Sequence, residues 1–259
     1  MKIINFYILF AWLLGSFWVS LAPAKDLQLP DTIEKLKPSI VAVGTYMPTR
    51  SPRALFRGTG FVVDDGSLII TNAHVLPEKL NHEKLEKLAV FFRKDKQSKM
   101  AVVKKVAVDI QHDIAILKLI KGRLPSLTLG DPEQVREGQS VAFTGYPIGM
   151  ILGLYPVTHR GIVSAITPMA IPMLKARQLN AKLMRRLRQP YDVFQLDATA
   201  YPGNSGSPLY DAENGRVIGV INKVFIKESK EAVLSNPSGI TYAIPIQYVK
   251  KLLLEKAWQ

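Results

Sequence analysis

The sequence predicts an all-β fold, a sandwich or barrel, closed by one C-terminal helix. A dozen short apolar runs, many rich in Val and Ile, follow one another along the chain, with turn-forming residues between them. Branched side chains fit the pleated surface of a sheet, and many short strands with regular turn signals indicate a sandwich or barrel rather than strand–helix alternation. Only near the end does the period change: Ile246, Val249, Leu252 and Leu253 recur at helical spacing.

Taken in order, residues 1–24 stand apart. Lys2 precedes an apolar stretch that ends in Ala22-Pro23-Ala24, a pattern expected of a cleaved secretory signal peptide. An uncleaved membrane anchor is the alternative, because about 20 apolar residues can span a bilayer. Asp31-Thr32-Ile33-Glu34 predicts a capped helix start, ended by Pro38. Strands are expected at 39–44, 60–63, 67–71, 88–92, 102–108 and 114–119, then at 140–145, 161–166, 193–196, 208–210, 217–224 and 240–244. Asp64-Asp65-Gly66 fits a hairpin turn between the second and third. Leu127 to Pro132 is the expected join between an N-terminal half, 25–128, and a C-terminal half, 129–259. There is no internal repeat and no low-complexity linker.

The composition narrows the chemistry. The chain has 259 residues and no cysteine, so disulfides and Cys-based metal sites are excluded and packing must hold the fold. Its formal charge is +13; loss of residues 1–24 removes one lysine and no acid, leaving +12. A solvated, lysine-studded surface accounts for this, and attraction to anionic partners is the sharper reading. No nucleic-acid-binding motif is present, and no cofactor or metal is expected: there is no His-x-x-x-His, and Gly145 to Gly149 lacks the lysine of a phosphate-binding loop.

Three segments carry a constellation. Gly203-Asn204-Ser205-Gly206-Ser207-Pro208-Leu209 sets a serine between glycines, Thr71-Asn72-Ala73-His74-Val75 supplies a histidine, and Asp113-Ile114-Ala115-Ile116-Leu117 supplies an aspartate. A serine hydroxyl is a weak nucleophile and needs an adjacent base. His74 would take its proton and return it to the leaving amine, while Asp113 would fix the imidazole tautomer. The amides of Gly203 and Ser205 would converge on the oxyanion, in a loop tight enough to favour glycine. The chain order His, Asp, Ser is the chymotrypsin order.

With these residues in place, the sequence resembles the trypsin-like serine proteases of the HtrA/Deg type. Gly58-Thr59-Gly60-Phe61-Val62-Val63, Gly145-Tyr146-Pro147-Ile148-Gly149, Thr158-His159-Arg160-Gly161-Ile162-Val163-Ser164 and Gly239-Ile240-Thr241-Tyr242-Ala243-Ile244-Pro245 are similar to segments of that family. The resemblance implies two antiparallel β-barrels of the chymotrypsin/trypsin-like fold, a cleft between them, and endopeptidase action on unfolded or damaged proteins in the cell envelope. Thr199, Ala200, Tyr201, Ile221 and Asn222 are expected to contact substrate. Thr199 stands where trypsins carry a pocket Asp, so no preference for Lys or Arg is expected. Ser207 replaces a usual glycine. The family commonly carries PDZ domains, whereas here Gln259 follows directly on the closing helix, so a protease without a PDZ domain is expected.

His74 and Asp113 have rivals in the sequence. His112 adjoins Asp113 but is expected on the opposite face of a strand. Asp95, Asp109 and Asp197 compete with Asp113, yet only Asp113 opens an apolar strand; Asp197 is expected to brace the loop before the serine. Residues 173–188 carry six Lys and Arg and no acid, with Leu179, Leu183 and Leu187 every four residues. That pattern fits a basic amphipathic helix, either an ordinary packed surface helix or a docking element for an anionic membrane or acidic partner. Two other functions stay open: an inactive or weakly active peptide-binding relative, and a membrane-associated adaptor.

Overall fold

A computed structural model describes residues 29–147, 154–169, 191–222 and 240–257. After α1 (Leu29–Leu36) and a short 3-10 turn (Lys37–Ser39) come β1 (Ile40–Tyr46), β2 (Ala54–Val63), β3 (Leu68–Asn72), β4 (Lys87–Lys94), β5 (Gln97–Asp109) and β6 (Ile114–Leu119). These close into one antiparallel barrel in the order β1-β2-β3-β6-β5-β4. β7 (Ser140–Gly145), β8 (Val157–Pro168), β9 (Asp192–Asp197), β10 (Pro208–Asp211), β11 (Val217–Asn222) and β12 (Ile240–Pro245) close a second, in the order β10-β11-β12-β9-β8-β7. α2 (Ile246–Ala257) ends the described chain.

Each expected strand is present over its described residues, the expected 217–224 being described to Asn222, and the differences lie at the ends. β5 runs to 13 residues, and its first four are exposed. Ladder hydrogen bonds do not require apolar side chains, so the β4–β5 hairpin continues past the core with polar ones. The turn at Asp64-Asp65-Gly66 forms as expected: Gly66 sits at φ +87° and its amide donates to the Val63 carbonyl at 3.2 Å. α1 already includes Leu29, so Asp31 lies in its first turn, where its charge meets the positive end of the helix dipole, rather than at its cap. The expected signal peptide at 1–24 and the basic segment at 173–188 lie outside the described residues.

Three large clusters make up most of the core among the described residues. Val41, Val43, Val62, Ile69, Val90 and Leu117 fill the first barrel, and Phe143, Val163, Leu196, Leu209 and Ile221 fill the second. Between the barrels, Phe61, Ile70, Ile114 and Ile116 of the first pack against Ala142, Tyr210, Val220 and Ile244 of the second. Ile246, Val249 and Leu252 of α2 cover the same cluster, as their helical spacing predicts. β6 is therefore apolar on both faces, which is why Ile114 to Leu117 reads as an unbroken run: Leu117 points into the barrel and Ile116 into the seam.

The segment between β6 and β7 is hydrogen-bonded to both barrels. The Leu127 amide donates to Val62 in the first barrel at 2.8 Å, and Gly130 donates to Val217 in the second at 2.7 Å. Leu117→Ala, at a fully buried position, is expected to cost about 3 kcal/mol, while Lys118→Ala, on the exposed neighbour, should stay within about 0.5 kcal/mol. Urea denaturation midpoints of the two variants check this register.

Candidate active site

The pairing of β3 with β6 brings the histidine and the aspartate together. Asn72 at the end of β3 lies opposite Ile114 at the start of β6. The residues just beyond must therefore meet, and the Ala73 amide donates to the Asp113 carbonyl at 3.1 Å. His74 follows in a 3-10 turn, while Asp113 closes the β5–β6 turn at φ +55°. His74 Nδ1 lies 2.6 Å from Asp113 Oδ2, and the His74 amide donates to Oδ1 at 2.9 Å. Asn222 Nδ2, from β11 of the other barrel, donates to Oδ2 at 2.9 Å. Three donors thus serve one carboxylate in a residue only 7% exposed, offsetting the cost of burying its charge.

The serine loop leaves β9 at Asp197 and enters β10 at Pro208. Its amides alternate. Those of Asn204, Gly206 and Ser207 donate to the Tyr201, Ile221 and Asn204 carbonyls at 3.0, 2.9 and 2.9 Å. Among the described residues, no backbone or side-chain hydrogen bond takes up the Gly203 or Ser205 amide. Gly206 sits at φ +87°, and a Cβ there would collide with the Thr59 carbonyl, so only glycine fits. Ser205 is 7% exposed. His74 and Ser205 form no hydrogen bond with each other among the described residues; such bonds tighten when substrate binds.

Thr59, on β2, ties this loop to the first barrel. Its amide donates to the Ser205 carbonyl at 2.8 Å and its hydroxyl to the Gly203 carbonyl at 2.7 Å. The same hydroxyl accepts the Tyr146 amide at 2.9 Å, and the Thr59 carbonyl accepts the Thr71 hydroxyl at 2.7 Å. The sequence reading quoted Thr59 in a motif but gave it no role. A polar residue between two glycines, directly before the apolar run Phe61–Val63, was the signal.

The remaining expected residues fall in different places. Tyr201 and Thr199 are half-buried on the serine loop, with Ala200 buried between them. The Ile221 side chain is buried in the second barrel's core, and its backbone bonds the serine loop on both sides. Asn222 turns its amide to Asp113. His112 corrects the sequence reading: it is not on a strand but in the four-residue β5–β6 turn, because the left-handed Asp113 ends that turn. Its ring lies 2.5 Å from Asp109 Oδ2 and stacks on Tyr248 of α2 at 4.0 Å. Asp197 is exposed, and the loop after β9 is instead braced by Thr241, whose hydroxyl donates to the Ala198 carbonyl at 2.5 Å. His159, which had been given no role, contacts Asn204. Among the described residues no group of His, Asp or Glu is arranged to hold a metal.

Two predictions follow from these bonds. Thr59→Val keeps the shape but strands the Gly203 carbonyl and the Tyr146 amide, at about 1–3 kcal/mol for each; Thr59→Ser should lose much less, by chemical denaturation. For Asp109, burial acts to raise the carboxyl, but the His112 hydrogen bonds outweigh it and hold it below the usual carboxylate range. A lowered folded value means stability that is present above the unfolded value and lost as pH falls through the folded one. The stability gap between wild type and Asp109→Asn should therefore be full at pH 7 and close below about pH 4; urea titrations across that range measure it.

Known proteins sharpen the picture. Residues 58–220 match the family described as the trypsin-like peptidase domain. The chain is 33% identical over 189 residues to a Halomonas elongata protein named "Probable periplasmic serine endoprotease DegP-like", covering 73% of this chain and 32% of that one. It is 32% identical over 231 residues to serine protease HTRA1A of Danio rerio, covering 88% and 41%. It thus spans about a third to two fifths of the length of these curated relatives. A solved structure titled "HtrA-type protease AlgW with decapeptide" superposes with a TM-score of 0.65 at 23% identity, covering 90% of this chain and 68% of that one, and so shares the two-barrel, chymotrypsin-like fold. The chain belongs to the trypsin-like peptidase family, and its relatives there are serine proteases of the HtrA/DegP type.

Proposed function

We propose that this chain is a serine endopeptidase that cleaves unfolded or damaged proteins in the periplasm or outside the cell. The observation that carries the proposal is the 2.6 Å contact between His74 Nδ1 and Asp113 Oδ2. With Nδ1–H donating to the carboxylate, Nε2 is left as the base, as a serine nucleophile requires. Ser205 would attack the peptide carbonyl, giving its proton to His74, which passes it to the leaving amine. The unused amides of Gly203 and Ser205 would hold the oxyanion; in comparable enzymes one such donor is worth about 3–4 kcal/mol. Asn222 would hold the Asp113 carboxylate in place from the second barrel.

The DegP-like relative named as periplasmic and the AlgW structure titled with a decapeptide support the location and a peptide substrate. Thr199 supplies no charge to pair with a buried Lys or Arg, so cleavage after small aliphatic residues is proposed. Residues 173–188 would add contact with an anionic membrane or acidic partner through charge.

Ser205→Ala should abolish cleavage of unfolded casein, by on the order of 10⁶ in turnover. A purified Ser205→Ala protein that still cleaves casein would refute the proposal. A peptide-library profile dominated by Lys or Arg at the cleaved position would refute the pocket assignment.

A further inference from the structure

We propose that His159 is a positioning residue: its neutral imidazole holds the serine loop through Asn204, and protonation releases that hold. The inference rests on the peptidase reading above. His159 lies on β8 directly opposite Phe143 on β7. Its ring stacks on Phe143, with centroids 4.9 Å apart, and tilts against Tyr201 at 5.7 Å. His159 Nε2 is 3.5 Å from Asn204 Nδ2.

Asn204 immediately precedes Ser205 and is fully buried. Its amide donates to Tyr201 and its carbonyl accepts the Ser207 amide, so it anchors both sides of the nucleophile. Its side chain is poorly served. Nδ2 faces only His159 among the described residues, and the buried Oδ1 has no partner. A neutral imidazole can accept from Nδ2 at Nε2, whereas an imidazolium offers only donors. On protonation a donor would confront a donor, and the idle Oδ1 becomes the acceptor the ring needs. Reaching it requires the amide to turn over beneath Ser205.

Among the described residues, the groups facing the ring are Phe143, Tyr201 and Asn204. Neighbouring Arg160 is exposed and donates to Ser140 Oγ. Burial alone pushes the His159 imidazole below the usual histidine value. The neutral, holding form therefore prevails near pH 7, and the proton enters only as pH falls through the lowered value. The acid limb of activity should then carry one proton more than the limb of a protein whose residue 159 cannot titrate, two rather than one.

The test compares kcat/KM for casein against pH in wild type, His159→Gln and His159→Phe, together with side-chain amide spectra of the Ser205→Ala protein. The wild-type acid limb should steepen toward a slope of two. Gln restores an acceptor that does not titrate, so most neutral-pH activity should return with a limb of slope one. Phe keeps the stacking without the acceptor and should lower kcat about tenfold, the order expected for one lost bond to a buried group, with KM little changed. In Ser205→Ala the Asn204 amide resonances should follow the His159 titration. An identical limb in wild type and His159→Gln, an unchanged kcat in His159→Phe, or Asn204 resonances indifferent to His159 would each overturn the inference. A protein that cleaves no casein at any pH while Asn204 still follows His159 overturns the peptidase reading and leaves the coupling standing.

Discussion

The bonds of Thr59 are the constraint on which the site depends. The serine loop belongs to the second barrel by sequence, yet two of its carbonyls, Gly203 and Ser205, are hydrogen-bonded to one residue of the first. The histidine and aspartate belong entirely to the first barrel, fixed by the register of β3 against β6. Only where the loop is pinned to β2 do the two halves share one frame. Asn222 adds the reverse connection, from β11 to Asp113.

Packing makes this frame rigid. A seam of buried side chains runs between the barrels, contributed by β2, β3 and β6 on one side and β7, β10, β11 and β12 on the other. Burying such side chains is worth about 1.5–3 kcal/mol each. That accounts for strands that are apolar on both faces and for a helix, α2, laid across both halves. Hydrogen bonds of the Thr59 kind add less energy but more direction. They set where the loop's carbonyls point, while among the described residues the Gly203 and Ser205 amides take part in no hydrogen bond.

The strands were legible because their burial is written in Val and Ile runs, and α2 because its apolar residues change period. The meeting of His74 with Asp113 was legible because turns and a strand start surround them in a recognisable order. Less visible were contacts between residues distant in sequence. Thr59 and Gly203 are 144 positions apart, and nothing local to either announces the other. His112 was misplaced because alternation along a strand was carried into a turn, where Asp113 at positive φ breaks it. Asp197 was given a bracing role that Thr241 performs from β12, a strand 43 positions downstream.

The site also has an uneven polar economy. Asp113 is served by three donors, whereas among the described residues the side-chain oxygens of Asn204 and Ser207, buried around the nucleophile, have no partner. Buried unpaired groups are few in native proteins, and a catalytic role is one of the explanations for them. The central claim is that His74, from one barrel, activates Ser205, from the other. The most direct measurement is the site and rate of covalent labelling by a fluorophosphonate, mapped by mass spectrometry in wild type and His74→Ala. The account predicts a single adduct on Ser205 in wild type that is lost in His74→Ala. Labelling of another serine, or equal labelling of Ser205 without His74, would contradict it.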